Sequence, residues 1–263
     1  MADPLSFDAY TPAEIARRVQ SAGVGKARMP TVPLFTLAVL AGAFIALGAA
    51  VYTLTVTGND LGFGANRLLG GLAFSLGLIL VVVGGAELFT GDNLIVMAWV
   101  SGKLRLGEML RCWGIVYLGN LVGALGTVLL VGLAGIMALG DGGVGQTTRA
   151  IAEAKLALAP ETAFFRGILC NVLVCLAVWL SFAARDVTGK ILAVVFPIAA
   201  FVALGFEHSV ANMYLIPMAF WAGAPADVGG LVVNLAVVTV GNVIGGGGLV
   251  GLVYWLVYLR GGD

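Results

Sequence analysis

Gly84-Gly85-Ala86-Glu87-Leu88-Phe89-Thr90-Gly91 and Gly205-Phe206-Glu207-His208-Ser209-Val210-Ala211-Asn212 are two polar, glycine-led interruptions inside otherwise apolar runs. A carboxylate or an imidazole at bilayer depth costs several kcal/mol unless it is paired or lines a polar cavity, so both stretches read as functional breaks. Helices broken at matching places in two halves of a chain point to a substrate path. Outward from the breaks, apolar runs of the ~20 residues needed to cross about 30 Å of hydrocarbon cover Leu34–Val56, Leu68–Val100, Cys112–Leu139, Phe164–Phe182, Ile191–Trp221 and Leu231–Leu259. Six spans are expected, the second and fifth interrupted.

Composition agrees. With 60% hydrophobic residues, 11% charged residues and a mean hydropathy of +1.03, the chain falls with polytopic membrane proteins and leaves no room for a separate soluble domain. Residues 1–33 read as an amino-terminal segment and residues 34–263 as the membrane domain.

Charge placement orients the spans. Of the 14 Lys and Arg, Arg17, Arg18, Lys26, Arg28, Lys103, Arg105, Arg111, Arg185, Lys190 and Arg260 fall on one side, and only Arg67, Arg149, Lys155 and Arg166 on the other. The positive-inside rule then puts both termini in the cytoplasm. A net charge of zero with this topological bias gives no basic patch for nucleic acid.

Thr11-Pro12-Ala13-Glu14 is a helix start, with Thr as cap, Pro at the first helical position and Glu reaching back, rather than part of a cleavable signal. A helix of about ten residues with Ile15 and Val19 on one face is expected to anchor at the cytoplasmic membrane surface. Cys112, Cys170 and Cys175 have no ligand spacing and read as packing residues, so neither metal nor other cofactor is expected.

The chain repeats weakly. Glu87 answers Glu207, and Gly119-Asn120-Leu121-Val122-Gly123 answers Gly241-Asn242-Val243-Ile244-Gly245. Two halves of three spans each, about 34–139 and 164–259, must be inverted in the membrane because three is odd. Such repeats place a site near the midplane. The paired glycines let helix backbones approach closely.

These residues carry a resemblance to the formate/nitrite transporter family of bacterial inner-membrane anion channels. Val83 to Gly91 resembles its first signature, Gly167-Ile168-Leu169-Cys170-Asn171-Val172-Leu173-Val174-Cys175-Leu176-Ala177 its second, Phe206 to Met213 its second break, and Gly241-Asn242-Val243-Ile244-Gly245-Gly246 its sixth-span motif. The resemblance implies an all-α, aquaporin-like six-span bundle assembled as a homopentamer in the lipid bilayer, with one pore per protomer. It implies that Thr90 hydrogen-bonds His208, that Asn171 and Asn242 border the path, and that Lys155 draws anions into the outer vestibule. Apolar constrictions are implied at Leu88 and Val174 toward the cytoplasm and at Phe74, Leu78 and Phe201 toward the outside.

The chemistry fits. A bare anion cannot cross hydrocarbon unneutralised, and His208 is the single histidine of the chain. With a reference pKa of about 6.5, it is the side chain best able to share a proton with a weak-acid anion. Glu87, Glu207 and Asn212 are expected to support the breaks, the carboxylates by accepting backbone N–H bonds. Asp92, after Gly91, is expected to cap the second half-helix.

Other classes fit less well. Ser209 beside His208 points elsewhere on a helix, Ala73-Phe74-Ser75-Leu76-Gly77 misses the nucleophile-elbow pattern, and no H-E-x-x-H pair exists, so no enzyme is expected. An aquaglyceroporin-type channel would carry paired Asn-Pro-Ala breaks, and an ammonium channel two pore histidines. Within the family, Ser6-Phe7-Asp8-Ala9-Tyr10-Thr11-Pro12 and Phe74-Ser75-Leu76-Gly77-Leu78-Ile79-Leu80 resemble the formate branch. Thr90-Gly91 and the stretch from Ala154-Lys155 to Phe164-Phe165-Arg166-Gly167 resemble the nitrite branch. Formate, moving with protons, is the expected substrate. Nitrite is the alternative, with hydrosulfide, acetate, lactate or a neutral solute behind it.

Overall fold

A computed structural model describes residues 9–261; Ser6, Phe7 and Asp8 of the branch motif lie outside the described residues. Among these residues the structure is all helix and turn, with five helices long and apolar enough to cross a membrane. They are α2 (Thr31–Thr55), α3 (Phe63–Gly84), α6 (Leu106–Leu133), α8 (Pro160–Ala183) and the run Val228–Tyr258. That last run comprises α11 (Val228–Val243), a π-helical stretch (Ile244–Leu252) and α12 (Val253–Tyr258).

Both expected breaks are present. After α3 the chain leaves helix at residues 85–88, then resumes as a short α4 (Phe89–Asp92), one 3-10 turn and α5 (Val96–Val100). After α9 (Val187–Ala203) it leaves helix again before α10 (Ser209–Trp221). The two exits are built alike. Gly85 (φ +80°) and Gly205 (φ +72°) take the left-handed conformation that side chains resist. The next residue closes the same turn in each, Ala86 N–H to Val81 O and Phe206 N–H to Phe201 O, both at 3.0 Å.

Each half is closed by a glycine crossing. A Cβ on Gly42 would overlap the backbone of Asn120, and one on Gly123 would overlap Val39 O, so α2 and α6 touch backbone to backbone. In the other half Gly241 and Gly245 lie equally close to Phe164 O and Ile168 O of α8. Gly123→Val is expected to leave no stable protein. Over-packing costs about 1–3 kcal/mol when side chains can give way, and a carbonyl cannot, so a monodisperse gel-filtration peak for this variant would contradict the crossing.

The amino-terminal helix departs from expectation. α1 (Pro12–Ala27) has 16 residues, and it begins with the expected capping box: Glu14 Oε2 accepts Thr11 N–H at 2.8 Å. Ile15 and Val19 are 4% and 3% exposed against protein alone, so this face rests on the bundle rather than on lipid. Gly23 packs on Ile95, Gln20 donates to Ser101 Oγ at 2.5 Å, and Lys103 donates to Gln20. α1 is therefore a lid over the helical half that follows the first break. Its counterpart is α7 (Gly143–Leu156), which packs against α10. Lys26 precedes α2 by the same interval by which Lys155 precedes α8.

Candidate functional site

The two breaks meet at the centre. His208 caps α10 by accepting Ala211 N–H on Nδ1 at 3.0 Å, which leaves the proton of the neutral ring on Nε2. Nε2 then donates to Thr90 Oγ1 at 2.9 Å. Phe201 stacks on the ring at 5.9 Å between centroids, and Phe74 meets Phe201 edge-on at 5.5 Å.

His208 faces a chamber of about 10 Å³ lined otherwise by Phe74, Leu78, Leu88, Val174 and Phe201, with Ile45 and Ile198. A water molecule needs roughly 10–15 Å³ of such space, so the chamber admits one water at most. It separates two larger cavities. The one on the α7 side, about 380 Å³, is bounded by Phe74, Phe201, His208, Lys155, Arg67 and Arg166 among others; the one on the α1 side, about 240 Å³, by Leu78, Leu88, Lys26, Glu87, Asp92 and Lys190 among others. Leu78 therefore shares the α1-side cavity with Leu88, and the expectation that it closes the opposite side with Phe74 and Phe201 is corrected. It lies one helical turn deeper along α3 than Phe74. Ile45 and Ile198 were not anticipated, because isoleucines in a span look alike whether they face pore or lipid.

Asparagines hold the breaks. Asn120 Oδ1 accepts Phe89 N–H at 2.9 Å, while its Nδ2 donates to Ala38 O and Glu87 O. Asn242 repeats the pattern on Ser209 N–H at 3.0 Å, Gly167 O and Glu207 O. Asn171 Nδ2 is shared among Asn242 O, Asn93 Oδ1 and Thr90 O, the last also accepting the Cys175 thiol. Asn171 and Asn242 are 0% exposed, and their Nδ2 donors are engaged on groups of the two breaks and the neighbouring spans. A freed peptide group in an apolar interior must find a partner, and a side-chain amide supplies both donor and acceptor.

The carboxylates play a different part from that expected of them. Among the described residues neither accepts a backbone N–H of its break. Glu87 pairs with Lys26 at 2.6 Å, and Glu207 pairs with Lys155 at 2.9 Å. Asn212 donates to Glu207 at 2.7 Å and to Asn234 at 2.7 Å, bracing the second pair. Asp92 stands at the position in the first half that Asn212 holds in the second, and binds Lys26 at 2.7 Å rather than capping a helix. Each vestibule thus carries one lysine clamped to the glutamate of its break. Lys155 reaches inward to the His208 cavity and is not confined to an outer loop.

Two half-helix breaks joined across an apolar chamber, inside a bundle of apolar helices, define a membrane channel or transporter rather than an enzyme. Residues 13–256 match the sequence profile of the formate/nitrite transporter family, and the chain belongs to that family. It is 44% identical over 277 residues to the formate channel FocA of Escherichia coli strain K12, covering 98% of this chain and 97% of the relative. A solved structure described as a pentameric formate channel with formate bound matches with a TM-score of 0.79 at 44% identity, over 87% of this chain and 98% of the other. An FNT family ion channel matches at 0.85 and 31% identity, over 93% and 98%.

Proposed function

We propose that the chain forms a channel for small monovalent weak-acid anions, formate first and nitrite second, whose conduction depends on pH through His208. The observation that carries this reading is the His208 Nε2 to Thr90 Oγ1 bond at the one polar point of an apolar constriction joining two cation-lined vestibules. The 44% identity to a formate channel along almost the whole chain supports formate over nitrite. The same likeness supports a homopentamer with six crossings per protomer in the bacterial inner membrane, α9 and α10 together making the fifth. By the Lys and Arg bias both termini and the α1-side vestibule are cytoplasmic. The division at residues 33 and 34 is kept, with α1 as the lid of the membrane domain.

Lys155 concentrates anions beside His208, and Phe74, Phe201, Leu78, Leu88 and Val174 strip their water. The neutral ring offers its Nε2–H as a hydrogen bond. An imidazolium would set a proton on Nδ1 against Ala211 N–H, so charging the ring and capping α10 exclude each other. Proton transfer to the anion therefore accompanies a local opening of the α10 start. Asn171 and Asn242 fix the geometry, and Glu87, Glu207 and Asn212 hold the lysines.

Uptake of formate and nitrite into liposomes at two external pH values tests the reading. Formate exceeding nitrite and rising at acid pH is expected; nitrite dominance moves the substrate, and no flux of either reopens a neutral solute. His208→Asn is expected to remove acid-stimulated uptake, leaving at most conductance of the bare anion. Uptake with the parent's pH profile would remove the proton role.

A further inference from the structure

Three cations border the α7-side cavity, and among the described residues only Lys155 has a carboxylate partner. Arg67, from α3, donates Nε–H to Ala203 O at 2.8 Å and an Nη2–H to Val202 O at 3.1 Å; Arg166, from α8, donates an Nη1–H to Gly205 O at 3.3 Å. The two heads converge. A Cβ placed on Gly205 would lie 2.7 Å from Arg67 Nη2 and 3.8 Å from Arg166 Nη1. Neither guanidinium has a carboxylate within 4 Å among the described residues.

A guanidinium carries five N–H donors, so three on Arg67 and four on Arg166 are unused by these bonds. The carbonyls of the α9 end fix both heads in place, which reduces the entropy lost on binding. Two like charges brought together on one turn repel unless an anion joins them. The side chains are half-buried, so solvent screens them less than it would at an open surface. A planar oxyanion matches a guanidinium fork through two parallel hydrogen bonds, as a spherical halide does not.

We propose that Arg67 and Arg166 form a planar-oxyanion subsite on the wall of the α7-side vestibule, holding a carboxylate or nitrite before it passes to Lys155 and His208. The subsite rests on the anion-channel reading, and it makes apparent affinity depend on the face of entry. Its test is the concentration dependence of formate and nitrite flux in vesicles of known orientation. Arg166→Gln keeps an N–H for Gly205 O, and Arg67→Lys keeps a charge at the α9 end. Entry from the α7 side is expected to need about three- to five-fold more formate for half-saturation in Arg166→Gln, and about ten-fold more in the double variant. The saturating rate should stay within about two-fold of the parent, and entry from the α1 side should be unchanged. Equal half-saturation in parent and variants overturns the subsite and leaves the channel. A fall in the saturating rate alone assigns the arginines to capping α9 and also overturns it. No saturable flux in the parent removes the channel reading and the subsite with it.

Discussion

Lys155→Met is expected to destabilise the protein by about 3–5 kcal/mol, the range for removing one partner of a buried ion pair. The lysine side chain is 15% exposed and Glu207 only 4%, so water from the α7-side cavity replaces the lost ammonium only in part. Asn212 is then the side chain left donating to a largely buried carboxylate. Lys155→Met with Glu207→Gln removes both charges and is expected to recover most of the loss, because the amide can still accept from Asn212. The thermal midpoint of the purified protein in detergent, compared across parent, single and double variants, checks both statements. An unchanged midpoint in the single variant would mean that Glu207 is stable without its partner, and the clamp would lose its structural meaning. Flux is expected to fall in both variants, since the double variant restores the fold without restoring the cation beside His208.

Asn242→Ala should be comparably damaging for a different reason. It leaves Ser209 N–H, Gly167 O and Glu207 O without their amide partner in one step. Each unsatisfied buried group costs about 1–3 kcal/mol, so a loss of about 3 kcal/mol or more is expected, with His208 displaced because its own residue flanks Ser209. Asn242→Asp separates the functions of the amide. It retains the acceptor for Ser209 N–H and removes both donors, and it sets a carboxylate against two carbonyl oxygens. Yield of folded protein and formate flux should fall in both variants. Normal flux from Asn242→Ala would show that the second break holds itself.

The sequence carried the breaks themselves, because a carboxylate and an imidazole amid apolar residues are conspicuous, and Gly85 and Gly205 mark where a helix must stop. The inverted repeat was legible in Asn120 and Asn242, yet their duty was not. A motif tells which residues recur and not what each amide holds, so the bonds of Asn242 to Ser209 N–H, Gly167 O and Glu207 O are visible only in the fold. Which cavity Leu78 borders depends on its depth along α3, one turn beyond Phe74, and depth cannot be read from an unbroken run of leucine, valine and isoleucine. The pairing of Lys26 with Glu87 has no mark in the sequence, since their contact depends on how α1 folds back over the bundle. In the sequence Arg67 and Arg166 read as topological charges, Arg166 also within a stretch resembling the nitrite branch. Their convergence joins two helices far apart in the chain.

The chamber beside His208, with space for one water at most, has an electrical meaning as well as a steric one. Protons travel through proteins along unbroken files of hydrogen-bonded water, and such a file cannot cross from the α7 side to the α1 side through a space of about 10 Å³ walled by Phe, Leu, Ile and Val. Both vestibules can be flooded while the centre stays an insulator, so vesicles carrying this protein without formate are expected to hold a proton gradient as long as empty ones do, which an entrapped pH-sensitive dye would check.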